Sequence, residues 1–202
     1  PVTIIGHSLG GSISLLYTAL HPENVKKLVA IEGMGPPPSM IAERFNQPTE
    51  KRLHNWFSDL RKSSGRIVKR YPTLEDALQR MQTENPHLSE EQARHLTIHG
   101  SNQNEDGTFS WKFDNYVRNF SPIGVPFDQT AELYANITCP TLLVRGLESW
   151  ASDPVADGRT KAFKCPVEVV AFANAGHWVH HDQLDSFVER VRDFLTDDHT
   201  NG

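Results

Sequence analysis

Two apolar runs of strand length, residues 2–5 and 28–31, flank a segment with helical spacing. The first run, VTII, ends at a glycine, and Ile13, Leu16 and Leu20 then follow at intervals that place them on one helix face. A strand, a helix and a second strand in this order form a parallel pair, because a parallel connection needs a crossover, which is usually a helix. The amino-terminal segment therefore predicts an α/β fold with a mostly parallel sheet.

The same alternation returns after Pro140. The run TLLVRG predicts a strand, a helix is expected around Asp157 to Phe163, and the run VEVVAF predicts another strand. A last amphipathic helix carries apolar residues at helical spacing, namely Phe187, Val188, Val191, Phe194 and Leu195.

The segment between these two parts, residues 39–136, is polar and predicted to be mainly helical. Its helical spacings are Leu53, Trp56, Phe57 and Leu60, followed by Leu74, Ala77, Leu78 and Met81, and an alternating stretch of Phe109, Trp111 and Phe113 indicates an extended strand or arm. So long a segment is more than a plain connection. We therefore expect residues 39–136 to form a helical lid, with α/β core at residues 1–38 and 137–202.

Charge and composition exclude several classes of partner. The 20 basic and 25 acidic residues give a net charge of -5, which does not favour nucleic acid. No apolar run approaches the roughly 20 residues that cross a bilayer, so we expect no membrane partner. We also expect reduced thiols at Cys139 and Cys165, since a chain of this size needs no disulfide. The sequence starts without a signal peptide, so an export signal either was never present or lies upstream, and we expect a cytoplasmic location.

Residues Gly6-His7-Ser8-Leu9-Gly10 fit the pattern G-x-S-x-G between the predicted strand and helix. The pattern places a serine on a sharp, strained turn, and we expect the flanking glycines to be needed because side chains there would clash with the strand and helix. Ser8 is then a candidate nucleophile. The backbone N–H of Leu9, at the helix start, is a candidate donor to a developing oxyanion.

A serine hydroxyl needs a base, and His177 is the candidate. It follows the run VEVVAF in a loop before the last helix. His180, His181 and Asp182 lie close in sequence and suggest a metal cluster as an alternative, but no second set of ligands completes it and a metal would occupy the base. We expect neither a metal nor a cofactor.

Three carboxylates are candidates for the acid that orients His177. Glu32 ends the second predicted strand, whereas Glu148 and Asp153 follow the run TLLVRG. Glu32 is favoured because it stands directly at a strand end, and the other two stay open.

The segments GHSLGG, CPTLLVRG and AGHWVHHD together resemble the α/β-hydrolase family, and more narrowly its serine hydrolases with a lid. The resemblance implies a partial α/β-hydrolase fold that holds the equivalents of the family's strands five to eight. The family's usual Gly-x-x-Asp reads Gly146 to Ser149 here, but certain dehalogenases place the acid at the end of the preceding strand, where Glu32 falls. Dehalogenases and epoxide hydrolases of this fold use an aspartate nucleophile, so Ser8 argues against both activities.

In that family the nucleophile strand is the fifth of eight, yet seven residues precede Ser8. We expect strands one to four to be absent from these 202 residues. The first strand would then expose an apolar edge, so we expect the chain to self-associate. A sharp, monomeric, cooperative unfolding transition would contradict this expectation.

The resemblance and the motifs predict hydrolysis of an ester or related acyl bond through an acyl-enzyme on Ser8, with a small to medium hydrophobic substrate. Carbon–carbon bond hydrolysis on the same fold is one alternative, and an inactive fragment or non-catalytic binding module is another. The candidate substrate contacts are His7, Trp56, Phe57, Trp111, Phe113 and Trp178.

Overall fold

The structure, a computed structural model, describes residues 1–64, 68–114, 116, 119, 122 and 127–197. The strands are β1 (Val2–His7), β2 (Val25–Ile31), β3 (Ser101–Gln103), β4 (Phe109–Trp111), β5 (Thr141–Gly146) and β6 (Val167–Phe172). The helices are α1 (Leu9–Leu20), α2 (Pro38–Asn46), α3 (Thr49–Ser64), α4 (Leu74–Glu84), α5 (Glu90–Gly100), α6 (Phe127–Tyr134), α7 (Val179–Asp182) and α8 (Leu184–Thr196).

The chain divides into two compact units, one of Pro1–Asn46 with Val125–Gly202 and the other of Gln47–Gly124. The predicted lid segment is longer than the second unit, because α2 and α6 belong to the first. The function of this segment as a lid stays a prediction.

The first unit contains a four-stranded sheet in the order β1-β2-β5-β6, and all three strand pairings are parallel. The predicted α/β fold with a mostly parallel sheet is therefore confirmed. Because the strands run in one direction, the loops that follow β1, β2, β5 and β6 all leave the same edge of the sheet. This edge is where polar side chains from distant parts of the sequence can meet.

Alternate residues of the central strands enter two separate apolar clusters. On β2, Leu28 and Ala30 join the cluster that contains Leu15 of α1, whereas Val29 and Ile31 join the cluster that contains residues of α8. Such alternation follows from the two-residue period of a strand. Both faces of the central strands are covered, which is the usual arrangement of a parallel sheet.

A predicted helix around Asp157 to Phe163 is wrong, because the structure has only a short 3-10 turn at Arg159–Ala162. The guanidinium of the fully buried Arg159 instead organises this loop, donating to the carbonyls of Met34 and Pro36 and to the carboxylate of Asp157. This segment therefore supplies and surrounds a buried, hydrogen-bonded charge, and it does not form a helix with an apolar face.

The second unit contains α3, α4, α5 and the antiparallel pair β3 and β4. Helices α4 and α5 each begin with a capping box, formed by Thr73 with Asp76 and by Ser89 with Gln92. None of the helices described in either unit combines the length and apolarity needed to span a bilayer.

Candidate active site

Ser8 occupies a sharp turn between β1 and α1. Its backbone has φ 53° and ψ −117°, a conformation that few residues other than glycine adopt. The backbone N–H of Ser8 donates to the carbonyl of Ile31 at 2.8 Å, which ties the turn to the end of β2. The turn therefore holds the Ser8 hydroxyl at the carboxyl edge of the sheet.

Close packing around this turn explains two glycines. A Cβ atom at Gly6 would lie 2.5 Å from the carbonyl oxygen of Gly10, and one at Gly11 would lie 2.8 Å from the Cα of Gly33. A Cβ at Gly10 would meet no described atom within 4 Å. The expectation that the glycine two residues after Ser8 avoids a clash is therefore wrong, and Gly11 is the crowded position instead.

His177 lies in the loop between β6 and α7. The carboxylate of Asp182, the last residue of α7, accepts a hydrogen bond of 2.8 Å from the N–H of Gly176, which ties this loop to the end of α7. The Nε2 atom of His177 lies 2.8 Å from the Oγ atom of Ser8, although the two residues are 169 positions apart. The structure thus brings these two predicted residues together.

Glu32 follows β2 directly, and its side chain is fully buried. Its backbone also has a positive φ of 52°, and its N–H donates to the carbonyl of Val144 on β5. The Oε2 atom lies 3.4 Å from the Nδ1 atom of His177, a contact that becomes an ion pair when the imidazole is protonated. Ser8, His177 and Glu32 therefore form a continuous row of polar groups.

The two other candidate carboxylates lie elsewhere. Glu148 has an exposed side chain, and its backbone N–H donates to the carbonyl of Ala175. Asp153 forms an ion pair with Arg145 at 3.4 Å and accepts a hydrogen bond from the N–H of Val155. Among the three candidates, Glu32 is the one with a described contact to His177.

His7 packs beside the same row. Its Nε2 atom lies 2.8 Å from the carbonyl oxygen of His177, so this nitrogen carries the proton and donates. Its ring also contacts the ring of His180. Burial lowers the pKa of His7, and burial together with the neighbouring His181, His7 and His177 lowers the pKa of His180 to about 4. Both rings are therefore neutral at pH 7, and the predicted substrate contact of His7 stays a prediction.

The predicted aromatic contacts are divided between the two units. Trp178 is next to His177 in the first unit, and its ring contacts His181. Trp56 and Trp111 belong to the second unit, where they contact Phe57 and Tyr71 respectively. Their roles, and that of Phe113 in the same unit, stay predictions.

Sequence reasoning missed Trp150. Its ring lies 5.1 Å from the ring of His177, and 61% of the residue is exposed. A large aromatic side chain at that exposure beside polar groups is a candidate contact for a ligand. The sequence feature that could have indicated this residue is its place a few residues past the strand-end glycine Gly146, in a loop that leaves the same edge of the sheet as Ser8.

The arrangement can activate a hydroxyl. A neutral imidazole with a nitrogen 2.8 Å from Ser8 Oγ is within reach to remove its proton, and a buried carboxylate on the opposite side of the ring stabilises the resulting imidazolium. Leu9 begins α1, so its N–H lies at the positive end of the helix dipole.

Comparison with known proteins places this geometry in context. The sequence profile of the family described as alpha/beta hydrolase fold matches residues 1–184. The chain is 23% identical over 198 residues to a serine hydrolase-like protein of Danio rerio, covering 96% of this chain and 60% of that protein. It is 26% identical over 206 residues to the sn-1-specific diacylglycerol lipase ABHD11 of Mus musculus, covering 96% of this chain and 59% of that protein. The chain thus spans about three-fifths of the length of these curated relatives.

Solved structures give the same fold. A thioesterase domain from the curacin biosynthetic pathway has a TM-score of 0.77 at 23% identity, with 95% of this chain and 66% of that chain covered. The M. tuberculosis esterase Rv0045c has a TM-score of 0.69 at 22% identity, with 96% of this chain and 62% of that chain covered. At these identities the likeness concerns the fold alone.

Proposed function

The chain belongs to the α/β-hydrolase fold family, and from this membership we propose that it is a serine hydrolase that cleaves an ester or related acyl bond through an acyl-enzyme on Ser8. The observation that carries the proposal is the 2.8 Å separation of Ser8 Oγ and His177 Nε2, two atoms contributed by opposite ends of the chain. The names of the relatives from Danio rerio and Mus musculus, a serine hydrolase-like protein and a lipase, also support an acyl substrate.

The proposed acylation begins with proton transfer from Ser8 Oγ to His177 Nε2 as the oxygen attacks the acyl carbon. Glu32 stabilises the imidazolium, which lies within 3.4 Å of its carboxylate. The negative charge on the substrate oxygen is stabilised by the N–H of Leu9 at the start of α1. His177 then returns its proton to the leaving alkoxide, and the alcohol departs.

Deacylation reverses the roles with water as the nucleophile. His177 removes a proton from water as the water oxygen attacks the acyl carbon, and then protonates Ser8 Oγ as the acyl group leaves. The product is the free carboxylic acid, and Ser8, His177 and Glu32 return to their starting protonation states. Water thus supplies the hydroxyl group of the acid product and replaces the proton that left with the alcohol.

A small to medium hydrophobic acyl or alkoxy group is the proposed substrate. Its support is the exposed apolar surface on both sides of the row: Leu9 is 57% exposed next to Ser8, and Trp150 is 61% exposed against the ring of His177. A ligand that covers apolar side chains of this size is stabilised by the apolar surface that is removed from water. A hydrophobic ester fits this surface better than a charged one.

The test is the time course of hydrolysis of p-nitrophenyl esters with acyl chains of increasing length. We expect an initial burst of nitrophenol equal in amount to the enzyme, which is typical of an accumulating acyl-enzyme. Ser8→Ala should abolish the burst and the turnover. Ser12→Ala is the matched control, because the Ser12 hydroxyl donates to the carbonyl of Gly33 rather than facing His177. Equal turnover by wild type and Ser8→Ala would refute the proposal.

A further inference from the structure

The loop that follows β5 carries a hydroxyl where the sequence pattern places the acid in many related proteins. Ser149 occupies this position, three residues beyond Gly146. Its Oγ atom lies 2.7 Å from the Oε2 atom of Glu32. The residue at this position therefore contacts the carboxylate that takes the place of the expected acid.

The hydrogen bonds of Ser149 fix the direction of its proton. Its Oγ atom accepts from the backbone N–H of Ala151 at 3.3 Å. An ionised carboxylate can only accept, so the Ser149 hydroxyl must donate to Glu32 Oε2. The backbone of the loop thus holds the hydroxyl in the orientation that presents its proton to Glu32.

Glu32 receives one donor on each oxygen. The N–H of Gly146 donates to Oε1 at 2.6 Å, and Ser149 donates to Oε2. The same Oε2 atom faces Nδ1 of His177 at 3.4 Å. Two fixed donors set the rotation of the carboxylate plane, so that one side of Oε2 is held by Ser149 and the remaining side faces the imidazole.

We propose that Ser149 is a positioning residue that aims the Oε2 atom of Glu32 at His177. The inference rests on the proposed function, because it concerns the carboxylate that stabilises the imidazolium during acyl transfer. Its physical basis is that hydrogen bonds to a carboxylate are strong and directional, so each donor restricts the rotation of the group. Without the Ser149 donor the carboxylate is less well oriented toward His177 and stabilises the imidazolium less.

The first test compares Ser149→Ala with the wild type over a range of pH, with hydrolysis of a p-nitrophenyl ester as the readout. We expect kcat to fall about 10-fold while KM changes less than about 2-fold, as for the loss of one hydrogen bond to a charged group. The acid limb of the kcat profile, which reports protonation of the base, should move to lower pH, because a less well aligned carboxylate stabilises the imidazolium less. An unchanged profile and kcat would overturn the proposal.

Two shape-matched variants separate the hydroxyl from the packing. Ser149→Thr keeps a hydroxyl and Ser149→Val replaces it with a methyl group of the same bulk, so any strain from the larger side chain is common to both. We expect Ser149→Thr to retain the position of the acid limb and Ser149→Val to shift it as Ser149→Ala does. Equal profiles for the Thr and Val variants would overturn the proposal.

Ser152→Ala is the control for disturbance of the loop. Ser152 also lies between β5 and the 3-10 turn, and its hydroxyl donates to a carboxylate at 2.7 Å, but that carboxylate is Asp157. We expect this variant to leave the acid limb in place, and a shift equal to that of Ser149→Ala would overturn the proposal. Failure of the proposed function gives a different result, because Ser8→Ala would then retain full turnover whatever the Ser149 variants show.

Discussion

Replacing Glu32 with glutamine removes the charge beside His177 and keeps the size of the side chain. At 3.4 Å and an effective dielectric constant of about 20, the carboxylate stabilises an imidazolium by about 5 kcal/mol. Because about 1.4 kcal/mol corresponds to a factor of ten in rate, we expect kcat to fall by about 1,000- to 10,000-fold. The fall should be in kcat rather than in KM, because the imidazolium forms only after the substrate has bound.

The assay is steady-state hydrolysis of a p-nitrophenyl ester, with unfolding by urea as a check that Glu32→Gln remains folded. Glu148→Gln and Asp153→Asn are the matched controls, since each removes one carboxylate charge from the loop after β5, and Asp153 pairs with Arg145 instead of His177. We expect both to keep kcat within about 2-fold of the wild type. The reasoning is refuted if Glu32→Gln keeps more than about a tenth of wild-type kcat, or if either control falls as far.

Two further predictions concern stability. Gly6→Ala should lower the free energy of unfolding by about 2 kcal/mol, because the added Cβ would lie 2.5 Å from the Gly10 carbonyl oxygen. Gly10→Ala should leave the free energy of unfolding unchanged or slightly higher, because a Cβ there meets no described atom within 4 Å. Urea denaturation measures both, and equal losses would contradict the packing described for the turn. The pKa of His180 is lowered from 6.5 to about 4 in the folded chain. Between these two pH values the unfolded chain binds one proton more at this residue than the folded chain does, so stability present above pH 6.5 should be lost as the pH falls through this window. Allowing for partial exposure, the wild type should lose about 1 to 2 kcal/mol more than His180→Gln between pH 7 and pH 4.5, and parallel stability curves would contradict the prediction.

The sequence predicted the parts of the fold that local patterns determine. The apolar runs of β1, β2, β5 and β6 and the helical spacing of α1 and α8 are each visible within a few residues. The crossover rule then converts this order into a parallel sheet, so the edge at which Ser8 and His177 would meet also followed from the sequence.

Long-range packing decided what the sequence left open. Three carboxylates were candidates for the acid, with Glu32 favoured by its place at a strand end, and the contact between Glu32 and His177 depends on the spacing of β2 from the loop after β6. The short turn at Arg159–Ala162 escaped prediction because its conformation follows from a buried guanidinium that bonds to a loop more than a hundred residues earlier. Trp150 carried no periodic signal, and its contact with His177 exists only in the folded chain.

In the proposed function, His177 activates the Ser8 hydroxyl. Treatment with a fluorophosphonate, digestion and mass spectrometry of the peptides tests it directly, because the reagent modifies activated serines. We predict one adduct on the peptide that carries Ser8, no adduct in Ser8→Ala, and a strongly reduced rate of labelling in His177→Ala. An adduct on another residue, or undiminished labelling of either variant, would contradict the claim.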